Sequence, residues 1–274
     1  MVKEKKFQPD HKPLRKIPTN GTKMCKLEGK DLEQEIRDLG ERLGDLQELI
    51  FAEGKHKILI ILQGLDTSGK DGTVKHVFSE TNPQGVRVVS FKEPSDYEKS
   101  HDYLWRTHLQ LPRTGEMVIF NRSYYEDYII PRVHKTLPKK QVEQRLEQIN
   151  NFEEMLTAEG ITVFKFFLHI SLKEQAIRIQ ARLDNPKKHW KFSLSDLTER
   201  QFWNKYQDAY DTVLHKTHHK KRPWDIIPAD DKRVRDYEIS TILVERLGKL
   251  KPKFPEIDPK QISVLKAEAA KILR

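Results

Sequence analysis

The sequence contains a single cysteine, Cys25, among 274 residues. A disulfide framework within the chain and a cysteine-rich zinc site are therefore both excluded. No apolar run approaches the roughly 20 residues that span a bilayer, and the opening segment MVKEKKFQPDHK lacks the apolar core of a secretion signal. We therefore expect a cytoplasmic protein that does not have a membrane as its partner.

Acidic residues are fewer than basic ones: the chain has 41 aspartates and glutamates and 50 lysines and arginines, which gives a net charge of +9. A mean hydropathy of −0.74 indicates a globular chain with a heavily charged surface. Such a balance attracts anionic partners over long range. Nucleic acid, an acidic membrane surface and a phosphate-rich small substrate all satisfy that condition, so charge alone does not choose among them.

Apolar runs and helical patterns alternate along the chain. Five runs are typical of strands buried on both faces, at residues 57–63, 86–91, 116–121, 161–170 and 224–229. After a first amphipathic helix at 31–53, helical patterns fall at 70–80, 97–110, 139–159, 172–184, 195–216 and 231–248. This alternation predicts an α/β fold with a parallel five-stranded sheet and helices on both faces. We predict an extended arm at 1–30, one domain at 31–250 and a tail at 251–274.

The segment GLDTSGKDGT, at 64–73, directly follows the first apolar run and contains the G-x-x-x-x-G-K core of a phosphate-binding loop. Its glycines allow successive N–H groups to point into one concavity, the following helix adds the positive end of its dipole, and Lys70 adds a full charge. The predicted phosphate contacts are Gly64, Thr67, Ser68, Gly69, Lys70, Asp71, Gly72, Thr73 and Lys75.

The loop departs from the usual motif at the position after Lys70, where Asp71 replaces the serine or threonine that binds Mg²⁺. A second carboxylate, Asp66, lies inside the loop. Mg²⁺ takes oxygen ligands, usually one or two carboxylates with phosphate oxygens and water. Either aspartate could replace the hydroxyl, and we predict Asp66 as metal ligand or base. The departure favours kinases of small acceptors over ordinary ATPases and GTPases.

The third run ends in FNRSYYED, at 120–127, where ligands bind in open α/β sheets. We predict that Arg122 reaches the transferred phosphate, that Asn121 contacts substrate and that Asp127 faces the metal. A plain helix start with acidic first residues is the alternative. Glu93, in the turn after the second run, either contacts the acceptor or only turns the chain.

Arg178 and Arg182 lie four residues apart, on one face of a predicted helix. We predict a lid at about 178–205 whose arginines stabilise the transition state; a solvated basic helix is the alternative. Further cations for the substrate are expected from Lys187, Lys188 and Lys191. Tyr206 and Tyr210 are predicted to be core residues.

Together these segments resemble the polyphosphate kinase 2 family over about residues 30–250. The resemblance is carried by GLDTSGKDGTVKHVF at 64–78, FKEPS at 91–95, HDYLWRTH at 101–108, FNRSYYED at 120–127, HWKFSLSDLTER at 189–200 and PWDIIPADDK at 223–232. It implies a P-loop NTPase-like three-layer sandwich with a helical lid, as in thymidylate kinase. It also implies that inorganic polyphosphate donates a phosphoryl group to an adenine or guanine nucleotide, with Mg²⁺, or Mn²⁺ in its place.

Within that family, Asn121 in place of aspartate resembles the branch that accepts AMP and ADP. The resemblance further implies that residues 66–70 hold the phosphate chain, that the lid closes over it and that the protein is a homodimer or homotetramer.

The residues leave two alternatives open. One is an ATP-dependent nucleoside monophosphate kinase of the thymidylate kinase type. The other is a non-catalytic polyanion- or RNA-binding protein, although no nucleic-acid partner is expected because the aromatic motifs of known RNA modules are missing.

Overall fold

The computed structural model describes residues 9, 12–22, 25–191 and 194–273, without the side chains of residues 191, 195 and 196. Five strands form one wholly parallel sheet in the order β2-β3-β1-β4-β5. The strands are β1 (Lys57–Gln63), β2 (Val86–Ser90), β3 (Met117–Asn121), β4 (Ile161–His169) and β5 (Trp224–Pro228). The predicted α/β class and all five predicted strands are confirmed.

Helices connect the strands and cover the sheet. They are α1 (Gly29–Glu53), α2 (Lys70–Val77), α3 (Asp96–Lys99), α4 (Trp105–His108), α5 (Glu126–His134), α6 (Lys139–Ala158), α7 (Leu172–Leu183), α8 (Leu194–Arg200), α9 (Trp203–Lys216), α10 (Lys232–Gly248) and α11 (Pro259–Ile272). Short 3₁₀ turns occupy Leu14–Lys16 and Pro186–Lys191. None of the described helices is long and apolar enough to cross a membrane.

The central strand β1 shows why its residues form a buried strand. Side chains alternate between the two faces of a sheet. Leu59 and Ile61 belong to the core cluster on one face, whereas Ile58, Ile60 and Leu62 belong to the cluster on the other. An apolar run without alternation therefore contributes side chains to the core on both faces of the sheet. The end of the run marks the end of β1 and the start of the next loop.

Two predicted helices are wrong in their extent. Residues 97–110 form two short helices, α3 and α4, because Ser95 caps the first with Glu98 and the Asp102 side chain accepts the N–H of Leu104 between them. Residues 195–216 are likewise divided into α8 and α9. The helix α5, which contains Pro131, was foreseen only as the alternative of a helix start after the third run.

Part of the N-terminal segment packs onto the domain. Leu14 is buried and its N–H donates to Asp211 Oδ1 at 2.6 Å, and Thr19 donates to Asp230 Oδ2 at 2.7 Å. By contrast, α11 has no buried residue. The division of the chain into arm, domain and tail stays a prediction.

Candidate active site

The loop between β1 and α2 needs two of its glycines for close packing. A Cβ atom on Gly64 would lie 2.7 Å from the carbonyl oxygen of Leu168. Gly69 has φ +105°, and a Cβ there would lie 2.2 Å from Arg235 Nη1. Thr67, with φ 63°, adopts the left-handed conformation without being glycine. The loop is therefore tightly wound between β4 and α10.

Lys70, the first residue of α2, is buried inside this loop. Its Nζ donates to the carbonyl oxygen of Gly64 at 2.8 Å and of Leu65 at 3.2 Å, and to Ser68 Oγ at 3.4 Å. Burial lowers its pKa to about 8, and the nearby Arg122 acts in the same direction against neighbouring carboxylates. The ammonium group is therefore held in the loop and remains protonated at neutral pH.

Two buried arginines hold the outer edge of the loop. Arg178 Nη1 donates to the carbonyl oxygens of Thr67 at 3.0 Å and Ser68 at 2.8 Å, and Arg235 Nη1 donates to that of Gly69 at 3.3 Å. A trans peptide places its N–H opposite its carbonyl. The N–H groups of Gly69 and Lys70 therefore point away from these guanidinium groups. Arg235, 1% exposed, was not predicted from the sequence.

Arg178, predicted as a lid residue, makes further contacts with the protein. Besides the loop carbonyls, Nη2 donates to Ala229 O at 2.5 Å and to Asp230 O at 3.2 Å, while Nε donates to Glu174 at 2.7 Å. The guanidinium is thus 8% exposed and engaged with acceptors of the protein. Its transition-state role stays a prediction, and in this conformation Arg178 braces the loop.

The remaining residues of the predicted lid lie on or beyond α7. Arg182 is half-buried on its last turn. Lys187 and Lys188 are exposed on the 3₁₀ turn that follows, and the side chain of Lys191 lies outside the described residues.

The end of β3 brings a second group of predicted residues to the loop. Asn121 Nδ2 donates to Asp71 Oδ1 at 2.8 Å. Arg122, with φ 65°, is in the left-handed conformation, and its Nη2 donates to Asp66 Oδ1. Its Nη1 lies 3.7 Å from Glu126 Oε2, and Glu126, followed by Asp66, raises the pKa of Arg122 against the effect of burial. This strained arginine therefore lies between two carboxylates.

A buried polar cluster supports the turn that carries Arg122. The hydroxyls of Tyr124 and Tyr125 donate to Glu153 Oε1 at 2.9 and 2.6 Å. Lys165, in the middle of β4, donates to Glu153 Oε2 at 2.7 Å, and both charged side chains are fully buried. Burial lowers the pKa of Lys165, but a carboxylate at this distance opposes that shift. A lysine within the apolar run of β4 was the only sequence signal of this support.

A cavity of about 500 Å³ opens beside the loop, and three of the predicted site residues, Gly64, Asp66 and Arg122, line it. Its walls come from the loop, α5, α7, α8 and α9, and its lining is Gly64, Leu65, Asp66, Arg122, Glu126, Ile130, His134, Gln175, Glu199, Arg200, Tyr206 and Tyr210. Tyr210 also belongs to the core cluster, as predicted. Tyr206 is partly buried against the same cluster, and its hydroxyl donates to Glu199 Oε2 at 2.6 Å.

Glu126, rather than the predicted Asp127, shares this cavity with Asp66. Successive helical residues point about 100° apart, so the neighbouring Asp127 has other surroundings. Its Oδ2 lies 3.7 Å from Arg106 Nη2, and Arg145 Nη1 donates to its backbone carbonyl at 2.7 Å. Burial raises the pKa of Asp127 to about 6, and the two arginines oppose that shift. The metal assignment of Asp127 stays a prediction.

The other predicted contacts are distributed around the loop. Thr67, Ser68 and Thr73 are buried within it, and Gly72 lies beside Arg235. Lys75 is exposed on α2, and the exposed Glu93 pairs with Lys99 at 3.2 Å.

Hard oxygen donors make the cavity chemically suited to a divalent cation. Asp66 and Glu126 present carboxylates to the same space. Within the described residues, no group of three or more histidine, cysteine, aspartate or glutamate side chains could hold a metal. A closed all-protein cage would need such a group, whereas Mg²⁺ needs only one or two carboxylates when substrate phosphates complete its shell. The donor set present therefore fits Mg²⁺ bound together with a phosphate substrate.

Comparison with known proteins agrees with this geometry. The sequence profile described as Polyphosphate kinase 2 matches residues 26–255. The chain is 50% identical over 218 residues to an AMP/ADP-polyphosphate phosphotransferase of Meiothermus ruber, covering 80% of this chain and 82% of that protein. It is 44% identical over 236 residues to an ADP-polyphosphate phosphotransferase of Rhodopseudomonas palustris, covering 82% of each chain.

A solved structure extends the similarity to three dimensions. The crystal structure of polyphosphate kinase 2 from Arthrobacter aurescens TC1 superposes with a TM-score of 0.92 at 39% identity, covering 97% of this chain and 96% of that chain. Sequence and fold therefore agree over nearly the whole length of the protein.

Proposed function

This chain belongs to the polyphosphate kinase 2 family, and from that premise we propose that it transfers phosphoryl groups reversibly between inorganic polyphosphate and AMP or ADP. One observation carries the proposal. The phosphate-binding loop and Arg122 meet at a cavity that also holds Asp66 and Glu126. Cations and carboxylates face each other where a phosphoryl group would pass between two phosphates.

The residues of this site have separable tasks in such a transfer. The N–H groups of the loop and Lys70 bind the donor phosphates, and Arg122 stabilises the charge on the transferred group. The acceptor is itself a phosphate, which is largely deprotonated at neutral pH because its second pKa is about 6. A base that removes a proton is therefore unnecessary, and we assign Asp66 to metal binding instead.

Asp66 and Glu126 are the residues that would hold Mg²⁺, or Mn²⁺ in its place. Such an ion supplies charge neutralisation between phosphate groups when it is bound. Arg122 donates to Asp66 and lies near Glu126. That arrangement keeps two carboxylates from facing each other unpaired, so the arginine and the cation have related electrostatic roles.

We extend the proposal to the neighbouring elements and to the assembly. Residues 178–205 would act as the lid over the donor chain. Asn121, which donates to Asp71, supports acceptance of both AMP and ADP by its resemblance to that branch. A homodimer or homotetramer, a cytoplasmic location and acceptance of guanine nucleotides belong to the same proposal.

The test is to incubate the protein with AMP, ADP or GDP, long-chain polyphosphate and Mg²⁺, and to separate the products by chromatography. We expect ADP and ATP from AMP, and ATP from ADP. Parallel reactions replace polyphosphate with ATP as donor to AMP. Faster transfer from ATP than from polyphosphate would contradict the proposal and favour an ATP-dependent monophosphate kinase, and binding of polyphosphate without turnover would contradict catalysis altogether.

A further inference from the structure

Gln175 connects the phosphate-binding loop to α8. It lies in the first turn of α7 and is 3% exposed. Its Nε2 donates to the backbone carbonyl oxygen of Asp66 at 3.1 Å. Its Oε1 accepts from Arg200 Nη1 at 2.6 Å. One buried amide therefore bridges Asp66, one of the acids that line the cavity, and Arg200, the last residue of α8.

The orientation of this amide is determined by its two partners. A guanidinium group only donates hydrogen bonds, and a backbone carbonyl only accepts them. The Gln175 oxygen must therefore face Arg200, and its NH₂ group must face Asp66. Glutamate offers no donor, methionine offers neither group, and asparagine is one methylene shorter. The bridge thus needs glutamine specifically.

The other end of the bridge is itself anchored twice. Arg200 Nη1 also donates to the carbonyl oxygen of Leu172, at 3.0 Å. The preceding residue, Glu199, accepts from the Tyr206 hydroxyl at 2.6 Å and lies 2.9 Å from His134 Nε2. The carboxyl end of α8 is therefore joined to α7 on one side and to α5 and α9 on the other.

We infer that Gln175 and Arg200 are positioning residues that couple the packing of α8 to the placement of Asp66. The inference rests on the proposed phosphoryl transfer, because the carboxylate of Asp66 is the group whose position matters there. Asp66 is half-buried and bonded through its side chain to Arg122 and through its backbone to Gln175. Loss of the bridge removes the hydrogen bond to the Asp66 backbone. The reacting groups then remain in the site, but their alignment is lost.

The test measures kcat and KM for polyphosphate and for ADP in Gln175→Met, Arg200→Met and the double variant. Misalignment of reacting groups costs up to about a hundredfold in rate, so we expect each single change to lower kcat by about ten- to hundredfold, with KM for ADP changed by less than about threefold. Because both residues act through one bridge, the double variant should be no slower than the slower single variant. Gln34→Met, an exposed glutamine on α1, is the matched control and should retain wild-type rates.

Gln175→Glu distinguishes positioning from simple stabilisation. It keeps an acceptor for Arg200, as an ion pair, but presents no donor to the Asp66 carbonyl. Positioning predicts that its kcat falls as in Gln175→Met when both variants are assayed well below their melting temperatures, where each is fully folded. Wild-type kcat in Gln175→Glu, or multiplicative losses in the double variant, would overturn the inference. Absence of transfer in the wild-type protein would overturn the proposed function instead.

Discussion

Among the single residues of the site, Lys70 is the cation whose removal should lower kcat most. Its Nζ is held within the loop by two carbonyls and a hydroxyl. Loss of one preorganised electrostatic partner typically lowers turnover by about 10²–10³-fold, which is what we expect of Lys70→Ala. The measurement is kcat with polyphosphate and ADP. Lys139→Ala, exposed at the start of α6, is the control, and turnover of Lys70→Ala within about threefold of that control would contradict the phosphate-loop assignment.

The pH dependence of kcat/KM should follow the protonation of the Lys70 ammonium group. A lysine is charged below its pKa, and burial lowers that of Lys70 to about 8 in the free protein. The value of kcat/KM for polyphosphate, which reflects the free enzyme, should therefore be level near neutrality and fall by about tenfold per pH unit above pH 8. In Lys70→Arg, whose side chain stays charged, this fall should be absent. A wild-type profile that stays level to about pH 10, the ordinary lysine pKa, would contradict the role of the charge.

The Mg²⁺ requirement of variants should identify which carboxylates hold the ion. We expect Asp66→Asn and Glu126→Gln to raise the Mg²⁺ concentration needed for half-maximal rate by about tenfold or more, because each loses one of the few carboxylate ligands that Mg²⁺ takes. The measurement is a Mg²⁺ titration at saturating polyphosphate and ADP. Asp45→Asn, exposed on α1, is the control. A shift in Asp127→Asn without one in Glu126→Gln would favour the assignment made from the sequence alone.

At this scale the sequence predicted which segments meet but not which side chain points where. The motif at 120–127 predicted an acid that faces the substrate site. Neighbouring acids on a helix cannot be told apart, however, without the rotation of the helix, which the packing of α5 determines. The role of Arg235 could not be predicted from the sequence, because only the folded structure places this residue of α10 against the carbonyl of Gly69. Long-range contacts of this kind are set by tertiary structure.

At the scale of elements, strands were predictable and short helices were not. The parallel strands are buried on both faces, so their apolar runs stand out from the sequence. The helices α3, α4 and α8 have at most seven residues, too few for a periodic pattern, and side-chain caps such as that of Ser95 determine their ends. The sheet was therefore confirmed in full, whereas helix boundaries around the cavity required the structure.

The two arginines of α7 should separate into bracing and lid functions. Arg178→Ala removes donors from four carbonyl oxygens, those of Thr67, Ser68, Ala229 and Asp230. Unsatisfied buried acceptors cost about 1–3 kcal/mol each when water cannot replace the donor, so we expect the free energy of unfolding to fall by about 2–4 kcal/mol and activity to fall with it. Arg182→Ala, at a half-buried site, should lower kcat while leaving that free energy within about 1 kcal/mol of wild type.

Denaturant unfolding and steady-state kinetics on the same preparations decide the matter. Arg178→Lys is the informative companion, because one ammonium group cannot replace the planar fork that spans the loop and the end of β5. Wild-type stability in Arg178→Ala together with a large loss of kcat would restore the predicted lid role to Arg178. An unchanged kcat in Arg182→Ala would assign the end of α7 to a solvated surface.

At the scale of the whole molecule, the net charge of +9 should act on the donor more than on the acceptor. A linear polyanion bound through several lysines and arginines releases condensed counterions when it binds. By analogy with single-stranded nucleic acid, log affinity should fall with log salt at a slope of about −0.7 per neutralised phosphate. A compact nucleotide contacts fewer cations. We therefore expect KM for long-chain polyphosphate to rise steeply between low and physiological salt, and KM for ADP to rise less.

The lysines of the 3₁₀ turn give this prediction a test in the structure. Joint replacement of Lys187, Lys188 and Lys191 by alanine should flatten the salt dependence of KM for polyphosphate by about 0.7 for each lost contact, while kcat at saturating donor stays near wild type. A matched triple change at Lys12, Lys55 and Lys139, all of them exposed, lowers the net charge equally. If both triple variants flatten the slope to the same extent, the polyphosphate chain responds to overall charge alone. A larger effect at the 3₁₀ turn means that the chain runs along it, because only direct neutralisation of phosphates releases their counterions.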